Sequence, residues 1–449
     1  MINSLRDYLE LLREKNLLLE VQEQVFREDL PELIDNLQDS GKALLFTHIA
    51  GYSGRVAANL VPSQDCFAHI FETTGNQYEY FVNGLKRREK KLPSVEHDLV
   101  SIAMDGQELL DHLPILKHYE QDSAPFITAA IASSRDPETG NLARGIHRLE
   151  WRKGNRVGIA LLNPPLSELM EKYKRLQRPM PISLSIGNDL AVLLAMALKP
   201  QLDTDKLEIA GGLKGRGIET ISSFDSDIDV PRTGEILLEG FVDYDDCRSD
   251  GPLGEISGYY MRLRETPTVV VKRLSCRPSP IYHALLPTCL EADMYLTFVS
   301  YAHIHETLLR LFPFVMQMHF IPRTFGSSVV VQVKGVESQR IRSLITFVLS
   351  FPMIKKVVVV DEDVDTEDAR DVEWAVATRF DPRKDLIVID NLPVQPIDPQ
   401  KKEGQGLTKM GMNATAFGKN IEARAKIARG ERTRIEAIIE THNSSTTLS

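Results

Sequence analysis

The chain has 449 residues, 43% hydrophobic and 26% charged, with a formal net charge of -10. That length exceeds what one core organises, so two or three domains are expected, and the acid excess argues against a dedicated nucleic-acid binder, whose first mark is a basic footprint. Four cysteines without CxxC or metal-like spacing, no signal-like N-terminus and no apolar run of membrane-spanning length lead us to expect a soluble, cytoplasmic protein.

Residues 1–112 read as an N-terminal α/β domain. Leu5, Tyr8, Leu9 and Leu12 recur at helical spacing, and 43–46 and 56–60 look like short buried strands. The charge run Lys86 to Lys91 is best explained as a solvated helix face. From 113 to 291 the texture changes to short β segments (126–131, 156–162, 182–186, 235–239, 268–271) punctuated by Gly and Pro. Such density predicts a barrel or curled sheet, with one amphipathic helix inserted over 189–198. From 292 to 449 a strand-helix rhythm returns: helix over 292–312, strand 328–333, helix 340–349 and strand 357–360. An irregular, Pro-rich stretch follows over 390–405, then a charged helix over roughly 421–439 and a disordered tail. The expected class is α/β, in a multidomain α+β arrangement.

The stretch that carries chemistry is Arg248-Ser-Asp250-Gly251-Pro252-Leu253-Gly254-Glu255. Gly and Pro set tight backbone geometry, so a turn can bring Asp250 and Glu255 into one pocket. Close like charges disfavour double ionisation, which makes one carboxyl a proton donor while the other stays anionic and orients a cation. On spacing alone, a polar turn between two strands explains the residues equally simply. The glycines of 211–217 match a dinucleotide loop only superficially, because no strand-loop-helix context accompanies them.

A second stretch, Asn141 to Glu150 (NLARGIHRLE), joins DGPLGE in a pattern that resembles the UbiD family of decarboxylases. The segments HLPILKHYEQDSAPFIT (112–128), DVPRTGEILLEG (229–240), KKVVVVDEDVD (355–365), WAVATR (374–379) and TKMGMNAT (408–415) look like that family's segments, in its order. The resemblance implies a central split β-barrel of flavin-reductase type, prenylated FMN as cofactor, and a functional trio of Arg148, Asp250 and Glu255. Arg148 would seat the substrate carboxylate, Glu255 would donate the proton and Asp250 would hold Arg148. Aspartate at the first acid departs from the family's commoner glutamate. The implied partners are a small aromatic or α,β-unsaturated carboxylic acid, a flavin prenyltransferase as cofactor supplier and a homo-oligomer built from dimers.

At the cofactor-phosphate site the likeness weakens. Where relatives place three metal ligands, this chain carries Ala143, Ser167 (after Pro164-Pro165) and Lys206, none suited to a divalent cation. One reading has Lys206, with Arg144 or His147, neutralise the phosphate directly, with Pro165 and Ser167 alongside. A second makes the chain a non-catalytic accessory subunit. A third shifts the ligands to Asn141, His147 or Glu150. A flavin reductase on the same barrel is a further class.

Overall fold

The computed structural model describes residues 2–95, 98–104, 108–198, 204–402 and 404–425. Its centre is an antiparallel sheet of nine described strands. In spatial order eight of them are Phe126–Ile127, Leu149–Trp151, Arg156–Ile159, Tyr260–Cys276, Ile236–Gly254, Met180–Ile186, Ile131–Arg135 and Leu142–Ile146; Val100–Met104 adds to Tyr260–Cys276. Ile182, Leu184 and Ile186 alternate with polar neighbours and share a core with Ile236 and Leu238, whereas Leu237 faces a separate cluster with Ile221, Ile228 and Val230.

The sheet's curl follows from its connections. Leu142–Ile146 lies at one end of the strand order and Leu149–Trp151 next to the other, yet only His147 and Arg148 join them. Three residue steps span at most about 11 Å, so the two ends of the sheet must approach each other. The result is a half-barrel whose seam holds Arg148. Bulges supply the bending: the paired strands Ile236–Gly254 and Tyr260–Cys276 shift register four times. At one shift a Cβ on Gly240 would come within 2.0 Å of the Val270 carbonyl oxygen, so only glycine fits.

Several expectations are corrected here. The stretch 126–131 is two strands at opposite ends of the sheet, not one, because the chain crosses the seam between them. DGPLGE is no free turn: Asp250, Leu253 and Gly254 pair with Leu263, Met261 and Tyr260, and the reversal comes after Gly254. The helix Leu190–Ala197 is apolar all round and buried through Met196, so it is a core helix rather than an amphipathic one. The run 86–91 leaves the helix Gln77–Lys86 at its last residue and continues without helical structure. Residues 421–425 also lack helix, and the remainder of the helix expected there, with the tail, lies outside the described residues.

The flanking segments interlock with the centre. The N-terminal sheet runs Leu18–Val25, Ala43–Ile49, Arg55–Ala58 and then Ile281–His283, the last contributed by chain that has already left the half-barrel. Helix Leu290–Leu311 leads to a five-stranded C-terminal sheet in the order Val315–Phe320, Ser328–Val333, Lys356–Asp361, Leu407–Ala414, Leu386–Leu392. Phe298 on that helix stacks on Phe67 at 3.8 Å and meets Phe81 edge-on at 5.1 Å, tying the helix to the N-terminal segment. No helix among the described residues is long and apolar enough to cross a membrane.

Candidate active site

Arg148 enters the seam between two strands, and its guanidinium is shared by two acids more than a hundred positions away. Nη2 donates to Asp250 Oδ1 at 2.5 Å and Nη1 to Glu255 Oε1. Asp250 is fully buried and Glu255 partly so. The three residues expected to form a functional trio are therefore in direct contact. Arg148 Nε is buried and has no hydrogen-bond partner among the described residues.

Two carboxylates face one guanidinium, so the charges do not balance within the trio. Burial pushes the Asp250 carboxyl above its usual range, opposed by Arg148 and reinforced by Glu150. Burial likewise raises Glu255, again against Arg148, with Asp250 adding to the rise. Thr266 offers its hydroxyl to Asp250 Oδ2 at 3.4 Å. Arg152 holds that threonine, reaching Thr266 Oγ1 at 2.7 Å and Thr268 Oγ1 at 2.6 Å.

Five residues back along the same stretch, the wall of a cavity of about 540 Å³ begins. It is enclosed by Asn141 to Arg144, by Asn163 to Pro165 leading into the helix Leu166–Arg175, and by Thr204 to Lys206 leading into the helix Lys206–Lys214. Two helix N-termini thus meet at one cavity; the second is already capped by Asp205, which accepts from the Leu207 amide, and Asp136, Glu168 and Glu208 share the lining with Lys91, Arg135, Lys172 and Lys206. Arg144 is buried, with Nε on Asp205 Oδ1 at 2.8 Å and Nη1 on Ser133 Oγ at 2.9 Å and the Asp229 carbonyl at 2.6 Å. Lys206 is buried and donates to the Met196 carbonyl at 2.7 Å.

The proposed cofactor residues divide. Arg144, Pro165 and Lys206 line the cavity; His147 and Ser167 do not, and Glu168 stands there instead of Ser167. His147 lies between cavity and trio, with Nδ1 2.8 Å from the Ala160 carbonyl oxygen. Burial lowers its pKa, and the charge of Lys206 lowers it further. Of the alternative metal ligands, Glu150 is engaged elsewhere: it accepts from Ser123 Oγ at 2.5 Å and the Gly251 amide at 3.1 Å. Among the described residues no group of three His, Cys, Asp or Glu side chains is placed to hold a metal. Sequence reasoning missed Asp205, the partner of Arg144; its one signal was its position just before a helix, where aspartate caps.

Three models of one family match the chain in succession: the 3-octaprenyl-4-hydroxybenzoate carboxy-lyase N-terminal domain over residues 9–82, its Rift-related domain over 89–289 and its C-terminal domain over 294–414. The chain belongs to the UbiD family. Among UbiD-class structures, HmfF from Pelotomaculum thermopropionicum in complex with FMN is 29% identical, with a TM-score of 0.89 over 97% of this chain and 99% of that one. An evolved dimeric form of the same enzyme, in complex with prFMN, is 28% identical with a TM-score of 0.86, over 96% of this chain and 100% of that one. Anhydromevalonate phosphate decarboxylase of Methanothermobacter thermautotrophicus is 28% identical over 331 residues, which is 73% of this chain and 77% of that protein. This UbiD-family chain is accordingly a carboxy-lyase.

Proposed function

We propose that the protein is a reversible, non-oxidative decarboxylase of an aromatic or α,β-unsaturated carboxylic acid, working with prenylated FMN. The observation that carries this reading is the convergence of Arg148, Asp250 and Glu255 at the barrel seam. Decarboxylation breaks the bond to the carboxylate carbon, leaves an electron pair on the substrate and requires an acid to protonate it. When bound, the cofactor supplies the electron sink that no side chain provides.

Asp250 and Glu255 use one N–H of each terminal nitrogen of Arg148, which leaves a second N–H on each nitrogen for the substrate carboxylate. Glu255, whose burial favours the protonated form, gives its proton to the carbon that lost carbon dioxide. Asp250 holds the guanidinium in place. The cavity suits the cofactor's phosphate better than a metal: Lys206, Pro165 and two helix N-termini face it, while Arg144 holds Asp205 in the wall. We derive no step from a divalent cation, because Ala143, Ser167 and Lys206 do not form a donor set for one.

The cofactor would come from a flavin prenyltransferase, and a homo-oligomer built from dimers is the assembly we expect. A non-catalytic accessory subunit, the other reading open from the sequence, is opposed by the carboxy-lyase family match and by the contact of Arg148 with both acids. Co-expression with a flavin prenyltransferase separates the two. The decarboxylase emerges coloured, with a prenylated-flavin mass, and releases carbon dioxide from at least one of a panel of benzoic and cinnamic acids. Colourless protein without turnover rejects the first reading.

A further inference from the structure

Both acids of the trio ride on one short segment, and that segment is gripped at each end by a buried carboxylate outside the trio. At its start, Glu150 Oε1 accepts from the Gly251 amide at 3.1 Å and from Ser123 Oγ at 2.5 Å. At its end, Asp122 Oδ1 accepts from the Gly254 amide at 3.0 Å, while Oδ2 accepts from the His118 and Tyr119 amides at 3.0 and 2.9 Å. Between them, the Ser123 amide donates to the Pro252 carbonyl at 2.8 Å. Glu150 and Asp122 are 6% and 3% exposed, so these bonds are shielded from water.

The segment needs such holding because its own pairing is irregular. Register shifts fall on both sides of Asp250, between Arg248 and Asp250 and again between Asp250 and Leu253. Gly251 sits at φ +91°, where a Cβ would lie 2.6 Å from the Met261 carbonyl oxygen. A strand interrupted in this way does not fix the direction of its side chains through the ladder alone. The Tyr119 ring packs directly against Gly254, closing the rear of the grip.

We infer that Asp122 and Glu150 are positioning residues for the decarboxylation, holding the Gly251 and Gly254 amides so that Asp250 and Glu255 meet the Arg148 guanidinium. The inference rests on the proposed reaction for its purpose, but its geometry can be tested without turnover. Glu150 differs from Asp122 in one respect: it serves the Gly251 amide through a single oxygen, and its Oε2 faces Arg152 Nε at 3.5 Å. A glutamine keeps that acceptor. Asp122 uses both oxygens as acceptors, so an asparagine must break one set of bonds.

The test is amide hydrogen exchange on the full chain, without cofactor, comparing Gly251 and Gly254 with the core amides of Val269 and Val271. E150A speeds exchange at Gly251 and D122A at Gly254, each by about tenfold or more, with the core amides unchanged. E150Q restores Gly251 protection to within a few-fold of the parent, a rescue that general destabilisation would not give. Should the alanine variants fail to fold, E150Q and D122N decide, with protection expected at Gly251 in the first and lost in the second either at Gly254 or at His118 and Tyr119. Parent-like protection at both glycines in the alanine variants, or at Gly254, His118 and Tyr119 together in D122N, overturns the inference. Local loss of protection in a protein that releases no carbon dioxide leaves the grip standing and rejects only the reaction.

Discussion

The seam trio and the cavity wall each bury an arginine against acid, and they do opposite things to that acid. In the wall, Arg144 faces Asp205 alone; burial by itself would raise that carboxyl, but the guanidinium and the Leu207 amide outweigh it and hold Asp205 below its usual range. In the seam, Arg148 is divided between Asp250 and Glu255, and burial wins at both. Arg144 also spends further donors on Ser133 and the Asp229 carbonyl, whereas Arg148 Nε is left without a partner among the described residues. One arrangement is a saturated structural pair; the other divides one cation between two carboxyls that burial raises, the kind of setting in which proton-transfer sites are found.

The widest separation between the two should appear in turnover. Glu255→Gln keeps the size of the side chain and an acceptor for Arg148 but has no proton to give. In loaded enzyme we expect carbon dioxide release to fall by about 10²–10⁴-fold, the range for loss of a general acid, while the visible flavin spectrum stays that of the parent. A variant that still turns over normally would remove Glu255 from the chemistry. Next in size is stability. Arg144→Ala strands Asp205 in the wall, at a cost of about 3–5 kcal/mol for breaking a buried pair. Arg148→Ala should cost less, because burial already raises both of its acids and a carboxyl that loses its cation can take up a proton. Urea midpoints of the two variants at neutral pH measure the difference, and equal losses would erase the distinction.

How far the sequence disclosed these two regions depends on what each needs. The alternation of Ile182, Leu184 and Ile186, and the apolar run 357–360, indicate strands directly, since period and burial are written in side chains. Asp250 and Glu255 were legible in their spacing about a Gly-Pro-Leu-Gly stretch, but Arg148 came only through the family's segments; nothing local links an arginine to acids so far along the chain. Asp122 went unassigned and Glu150 was weighed only as a metal ligand, because what they hold on the acid-bearing segment are backbone amides, which no sequence pattern marks. The length of the strands Ile236–Gly254 and Tyr260–Cys276 was missed as well, because each bulge resets the alternation that would have betrayed it. The amphipathic helix expected over 189–198 has no polar face: Asp189 caps it, accepting from the Ala191 amide at 2.8 Å, and the turns that follow are apolar on every side.

The smallest effect is the dependence of stability on pH, and here the two regions should differ in sign. Glu255 binds its proton more tightly folded than unfolded, so its contribution is complete below the unfolded value of about 4.3 and is lost as pH rises through the raised folded value. Asp205 is the reverse: its contribution is present above the unfolded value of about 3.9 and is lost as pH falls through the lowered folded one. Glu255→Gln should therefore flatten the decline of stability above about pH 4, and Asp205→Asn the decline below it, each by less than about 1.4 kcal/mol per pH unit. Unfolding midpoints of both variants across that range supply the measurement. If Asp205→Asn instead flattened the decline above the unfolded value, Arg144 would not be holding that carboxylate ionised, and the wall would lose its place as the saturated counterpart of the seam.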